Sequence, residues 1–172
     1  MKTSTLSMSH KMSHNRKKLY FPMRQTLLLI GLCISLISCG GEKSASLEDF
    51  HTRPVTLPDG TAVTAEVLTK TGDMARGMMF RESLPEGRAL MFVHERPSRQ
   101  PYWMYSVKVP LDIVWLDRRG KVLEISENTP PCPGQASTCP SYGGTVDASI
   151  VIEVPGGYGR KHGIRLGEIL RF

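Results

Sequence analysis

The chain has no apolar run long enough to cross a membrane. Its main apolar run, Thr26 to Ile37, holds 12 residues, whereas a helix spanning roughly 30 Å of hydrocarbon needs about 20. No acidic residue precedes Glu42. No G-x-S-x-G elbow, H-E-x-x-H helix motif or phosphate-cradling glycine loop is present, and none of the three histidines after Cys39, His51, His94 and His162, stands at a zinc-ligand spacing from another. These absences argue against an uncleaved anchor, a serine hydrolase, a zinc peptidase and a nucleotide-binding loop. No cofactor and no metal site are predicted.

What the beginning does contain is the pattern of a bacterial lipoprotein signal peptide. Arg24 precedes the short apolar core, which closes on Leu36-Ile37-Ser38-Cys39. A basic flank holds the start of the chain on the cytoplasmic side while the core enters the translocon. Small Ser38 gives a peptidase access to the next bond, and Cys39 becomes the acylated first residue. Residues 1–38 are therefore read as signal, with Met12 and Met23 as alternative starts. The lipid on Cys39 makes the membrane a partner and places the protein in the cell envelope, facing the periplasm or cell surface.

The leader also distorts the charge. The whole chain carries 22 Lys and Arg against 16 Asp and Glu, a net +6. Six of the bases (Lys2, Lys11, Arg16, Lys17, Lys18 and Arg24) lie before Cys39, which leaves 16 against 16 afterwards. A neutral surface with scattered bases has no long-range field to gather phosphates, so no nucleic-acid partner is expected. Residues 39–52, polar and small, read as a lipidated tether, and residues 53–172 as one domain with one core.

Cysteine usage agrees with export. With Cys33 removed and Cys39 acylated, only Cys132 and Cys139 remain, in one loop. In an oxidising compartment they form a disulfide that would contribute about 2.5 kcal/mol by restricting the unfolded chain. Six intervening residues and no adjoining histidine argue against a redox or metal pair.

Alternation and turn chemistry predict mostly strands. Arg53–Leu57 and Ala62–Leu68 flank Pro58-Asp59-Gly60-Thr61 as a hairpin; Leu111–Asp117 and Lys121–Ile125 flank Arg118-Arg119-Gly120 as another, with Val122 and Glu124 on the face opposite Leu123 and Ile125. Ala89–Val93, Tyr102–Val109, Ser149–Val154 and Glu168–Phe172 complete the strand candidates, with a loop at Pro97–Pro101. Methionines at 74, 78 and 79 suit a short helix over Gly72–Phe80, and Gly156–His162 suits a helical turn. The expected fold class is mainly β, a compact sandwich or partly open, jelly-roll-like barrel with one or two short helices.

Four stretches then carry a resemblance: Arg76-Gly77-Met78-Met79-Phe80-Arg81, Ala89-Leu90-Met91-Phe92-Val93, Tyr102-Trp103-Met104 and Pro110-Leu111-Asp112-Ile113. With the Cys132–Cys139 loop and the ending Gly163-Ile164-Arg165-Leu166-Gly167-Glu168, the chain from about Thr61 to Phe172 resembles the domain of unknown function 192 family. The resemblance implies a small β-sandwich, often secreted, and no established activity.

Two constellations are candidates for function. Tyr102, Trp103, Met104 and Tyr105 with Arg76 and Arg81 could line a cleft, because flat rings stack on sugars and guanidinium groups grip carboxylates; the competing reading is that they fill the core. Asp112 interrupts an apolar strand, so it either faces water or is buried with a partner such as Arg76, Arg81 or Lys108, as an ion pair or as an acid or base. His51, His94 and His162 fall in expected loops or the tether. The leading expectation is a lipid-anchored module that binds a small molecule, glycan or envelope protein without catalysis. One alternative is an envelope hydrolase using Asp112 with Arg76 or Arg81; another is a purely structural assembly lipoprotein.

Overall fold

The computed structural model describes residues 51–172. Residues 1–38, read above as signal, and Cys39 with the expected tether as far as residue 50 lie outside the described residues. Eight strands and two short α-helices follow: β1 Thr52–Thr56, β2 Ala62–Leu68, α1 Thr71–Arg76, β3 Arg88–Arg99, β4 Tyr102–Trp103, β5 Leu111–Leu116, β6 Val122–Thr129, β7 Ser141–Tyr142, β8 Asp147–Pro155 and α2 Tyr158–Lys161. The molecule is mainly β.

Six strands form one mixed sheet in the order β1-β2-β3-β8-β5-β6, and β4 pairs with β7 in a small second sheet. Only β2 and β3 run parallel, and α1 lies in the crossover between them. The last residues tie the outer strands without closing a barrel. Thr56 and Arg171 exchange both backbone hydrogen bonds at 2.7 and 3.0 Å, while Val122 N–H donates to Glu168 at 2.8 Å.

Both faces of the large sheet are covered, which explains why β5 reads Leu-Asp-Ile-Val-Trp-Leu with no exposed position. Val114 and Leu116 of β5 join Val63, Ala65, Ala89, Met91, Ile152 and Val154 on one side. Leu111, Ile113 and Trp115 join Leu68, Leu90, Phe92 and Val151 on the other.

Departures from the sequence expectations have local causes. The helix ends at Arg76 rather than Phe80 because Gly77 takes φ 42° and packs against Phe92, where an added Cβ would sit 3.0 Å from the ring. β3 runs on through Pro97, which lies inside a register shift between Val93 and Ser98, where no ladder hydrogen bond needs its missing N–H. Beyond Trp103 the extended segment turns, with Ser106 at φ 55°. A shift between Trp115 and Leu116 leaves Leu123 unpaired, so Val122 and Ile125 pack on the same side instead of alternating.

Candidate functional site

The site begins with two carboxyls on inner strands. Glu66 on β2 pairs with Leu90 on β3, and Leu90 pairs with Glu153 on β8. All three face the side that carries Phe92, Met78 and Met104, with the carboxyl-bearing strands about 10 Å apart. Glu66 is 1% exposed and Glu153 4% exposed.

Their partners differ sharply. Arg81 grips Glu66 with both guanidinium nitrogens at 2.7 Å and donates from Nε to the Gly77 carbonyl at 3.0 Å. This fork folds the chain after α1 back onto the sheet. Glu153 Oε2, by contrast, is buried and has no hydrogen-bond partner. Burial pushes the Glu153 carboxyl up to about 8, and the Arg81 charge only partly opposes it.

A small, half-open cavity of about 30 Å³ lies beside Glu153, bordered by the turn from Met74 to Met79 and by Phe92, Tyr102 and Trp103. Tyr102 points inward, edge-on to Phe92 at 5.0 Å and to Trp115 at 5.9 Å, and its hydroxyl lies 3.2 Å from His94 Nε2. Burial holds the His94 ring below its ordinary range, and burial with the Glu153 charge raises the Tyr102 phenol well above its own. Both shifts keep the two groups neutral, and they share one hydrogen bond whose direction follows the His94 tautomer. Trp103, its neighbour on the two-residue strand, is 42% exposed and packs against Tyr105 with ring centroids 5.4 Å apart. Outside the cavity, sharing Met74, Ala75, Tyr102 and Trp103 as a common wall, runs an open groove of about 400 Å³ bounded also by His94 and Gln100.

Backbone strain surrounds this corner. Phe80, 65% exposed, takes φ 65°, a conformation that bulky residues rarely adopt, and its N–H donates to Ser106 at 2.9 Å. On the far side of Tyr102 the loop at Gly143 lies flat on Trp115, where an added Cβ would sit 2.3 Å from the indole. Trp115 in turn donates to the Gln100 carbonyl at 2.7 Å, which fixes one end of the groove.

The structure brings Arg76, Tyr102 and Trp103 to one cavity. Arg81 stands behind it in the Glu66 pair. Met104 is fully buried core, and its carbonyl accepts the Cys132 N–H at 3.1 Å. Asp112 lies elsewhere. It pairs with Val154 on the opposite face of the sheet, is 1% exposed, and accepts backbone N–H groups of Asn128, Gly157 and Gly159 at 2.6, 2.9 and 2.7 Å. Neither Arg76, Arg81 nor Lys108 meets it; Lys108 pairs with Glu82. Asp112 thus pins the entry to α2 and the end of β6, and among the described residues it lines neither the cavity nor the groove. His162 is held by Asp59 at 2.8 Å and stacks on Tyr158 at 4.1 Å. Cys132 and Cys139 are bonded. Among the described residues no cluster of His, Cys, Asp or Glu could hold a metal ion.

The sequence reading missed Glu66 and Glu153. The signal was the one that singled out Asp112: a lone carboxyl in an apolar strand, here Ala65-Glu66-Val67 and Ile152-Glu153-Val154. A wider depression of about 680 Å³ borders β6 and Leu166, but its acids are already engaged, Glu124 by Thr145 and Glu127 by Arg160. Two buried side-chain atoms of the described residues lack a hydrogen-bond partner, Glu153 Oε2 and His162 Nε2, and of these only Glu153 belongs to the lining of the smaller cavity.

The family model for DUF192, an uncharacterized ACR, matches residues 55–172. The chain belongs to the DUF192 family. No curated protein matches it. Among solved structures, this DUF192 domain resembles a protein of unknown function from Novosphingobium aromaticivorans, with a TM-score of 0.62 and 24% identity over 72% of this chain and 87% of the other. It also resembles a Sinorhizobium meliloti protein that carries a provisional transcription-regulator name, with a TM-score of 0.62 and 20% identity over 71% of this chain and 94% of the other. Likeness at that identity carries the DUF192 fold and no activity.

Proposed function

We propose that this DUF192 domain is a small-molecule-binding module held at the cell envelope by a lipid on Cys39. The observation that carries the binding half is Glu153: a buried carboxyl oxygen without a donor, at the inner end of a cavity that shares a wall with an aromatic-sided groove. Leaving such a group unpaired costs about 1–3 kcal/mol, which a ligand donor would recover. The anchoring half is supported by the leader and by the balanced charge that remains once it is removed. The ligand enters along the groove, stacks on Trp103 and reaches past Met74, whose unbranched side chain repacks readily.

A fragment screen read by thermal shift tests this reading, run in parallel on the natural protein and on Trp103→Ala. Trp103 is partly exposed and its loss leaves the core intact. Groove occupants raise Tm in the natural protein and not in the variant. A screen in which no fragment shifts Tm, or in which every shift survives Trp103→Ala, overturns the assignment.

A further inference from the structure

The lining of the inner cavity narrows the chemistry of what enters it. Three of the residues around it, Phe92, Tyr102 and Trp103, are aromatic, and Met74 and Met78 add polarisable thioethers. Glu153 offers an acceptor oxygen that no N–H or O–H of the described residues reaches. Arg76, the one basic residue of the lining, is exposed to solvent, and Arg81 is engaged by Glu66. Such a lining receives a positive charge far better than a negative one. Its size agrees: about 30 Å³ holds about two water-sized groups at ~10–15 Å³ each, enough for an ammonium and the methylene that bears it.

Resting on the groove reading above, we propose that the ligand presents a protonated amine on a flat apolar body, with the ammonium donating to Glu153 in the inner cavity and the body lying against Trp103 in the groove. Glu153, kept protonated by burial up to about pH 8, releases its proton to solvent as the ammonium arrives, and the amine keeps its own. The other charged or titratable groups near Glu153 are Arg76 from α1, the Arg81–Glu66 pair held on β2, Tyr102 from β4 and its partner His94 from β3. β5 sets uncharged Ile113 opposite Glu153. With one proton released, affinity rises about tenfold per pH unit below that point.

Calorimetric titration of the purified protein with 2-phenylethylamine, 3-phenylpropionate and 2-phenylethanol decides the matter. The amine is expected to bind alone of the three, about 50-fold tighter near pH 8 than near pH 6, with close to one proton released per amine bound near pH 6 when buffers of different ionisation heat are compared. In Glu153→Gln, an isosteric change, the amine weakens by at least about tenfold and its pH dependence disappears. Preferential binding of phenylpropionate, lost in Arg76→Ala, overturns the proposal, as does equal binding of all three probes. If the amine fails while the fragment screen finds Trp103-dependent occupants, the charge assignment falls and the groove reading stands. If neither finds an occupant, both fall.

Discussion

Glu153 and Asp112 show how similar residues in similar sequence settings come to opposite uses. Both are single carboxyls in apolar inner strands, yet Asp112 takes three backbone donors while Glu153 Oε2 takes none. The raised Glu153 value has a defined consequence for stability. Below its ordinary value of 4.5 the group is protonated in both folded and unfolded chains; as pH rises from there through about 8, only the unfolded chain releases the proton. Stability from this group is therefore fully present below that lower limit and is lost with rising pH, by up to about 1.4 kcal/mol per unit. Denaturation midpoints of Glu153→Gln against the natural protein should converge in acid and diverge towards pH 8, with the variant the more stable; parallel profiles would refute this. For Asp112→Ala, which orphans three N–H groups, we expect a loss of about 3 kcal/mol with ligand binding in the groove unchanged, read by urea denaturation and by the fragment screen. The sequence made both carboxyls visible as interruptions of apolar runs. It could not show which would find donors, because two of the three of Asp112 come from Gly157 and Gly159, more than forty residues away, and the third from Asn128 at the end of the neighbouring strand.

At the scale of elements, alternation and turn chemistry located both hairpins, β8 and the helical turn of α2. The misplaced boundaries lie where one residue's geometry overrides the local pattern: Gly77 at the end of α1, Pro97 inside β3 and unpaired Leu123 in β6. None of these follows from periodicity, since each depends on a neighbour brought by the fold. The same holds for the groove, whose two sides are β4 and α1, and whose far end is fixed by Trp115 from β5. The Cys132–Cys139 loop supports β4 from behind, through the pairing of Tyr102 with Tyr142 and of Tyr105 with Cys132. Replacing both cysteines by serine should cost about 2.5 kcal/mol. It should also loosen that support, read as faster amide exchange at Tyr102 and Trp103 than in β5, and uniform exchange would show that the staple acts only on the unfolded chain.

For the whole molecule, the leader and the domain make separate statements. Residues 1–38 carry the excess charge and, on the function proposed above, the address; the domain carries a cavity with an unsatisfied acceptor. If Cys39 bears the lipid, Cys39→Ser releases the protein from the membrane fraction into the soluble one with its melting temperature unchanged. Membrane retention of the variant would contradict the anchor.

The most direct measurement of the central claim is a crystal structure of the protein grown with 2-phenylethylamine. The account predicts density along the groove, an aromatic ring against Trp103 and a nitrogen within hydrogen-bonding distance of Glu153 Oε2. An empty groove, with Oε2 satisfied by a donor from the protein's own chain, would contradict it.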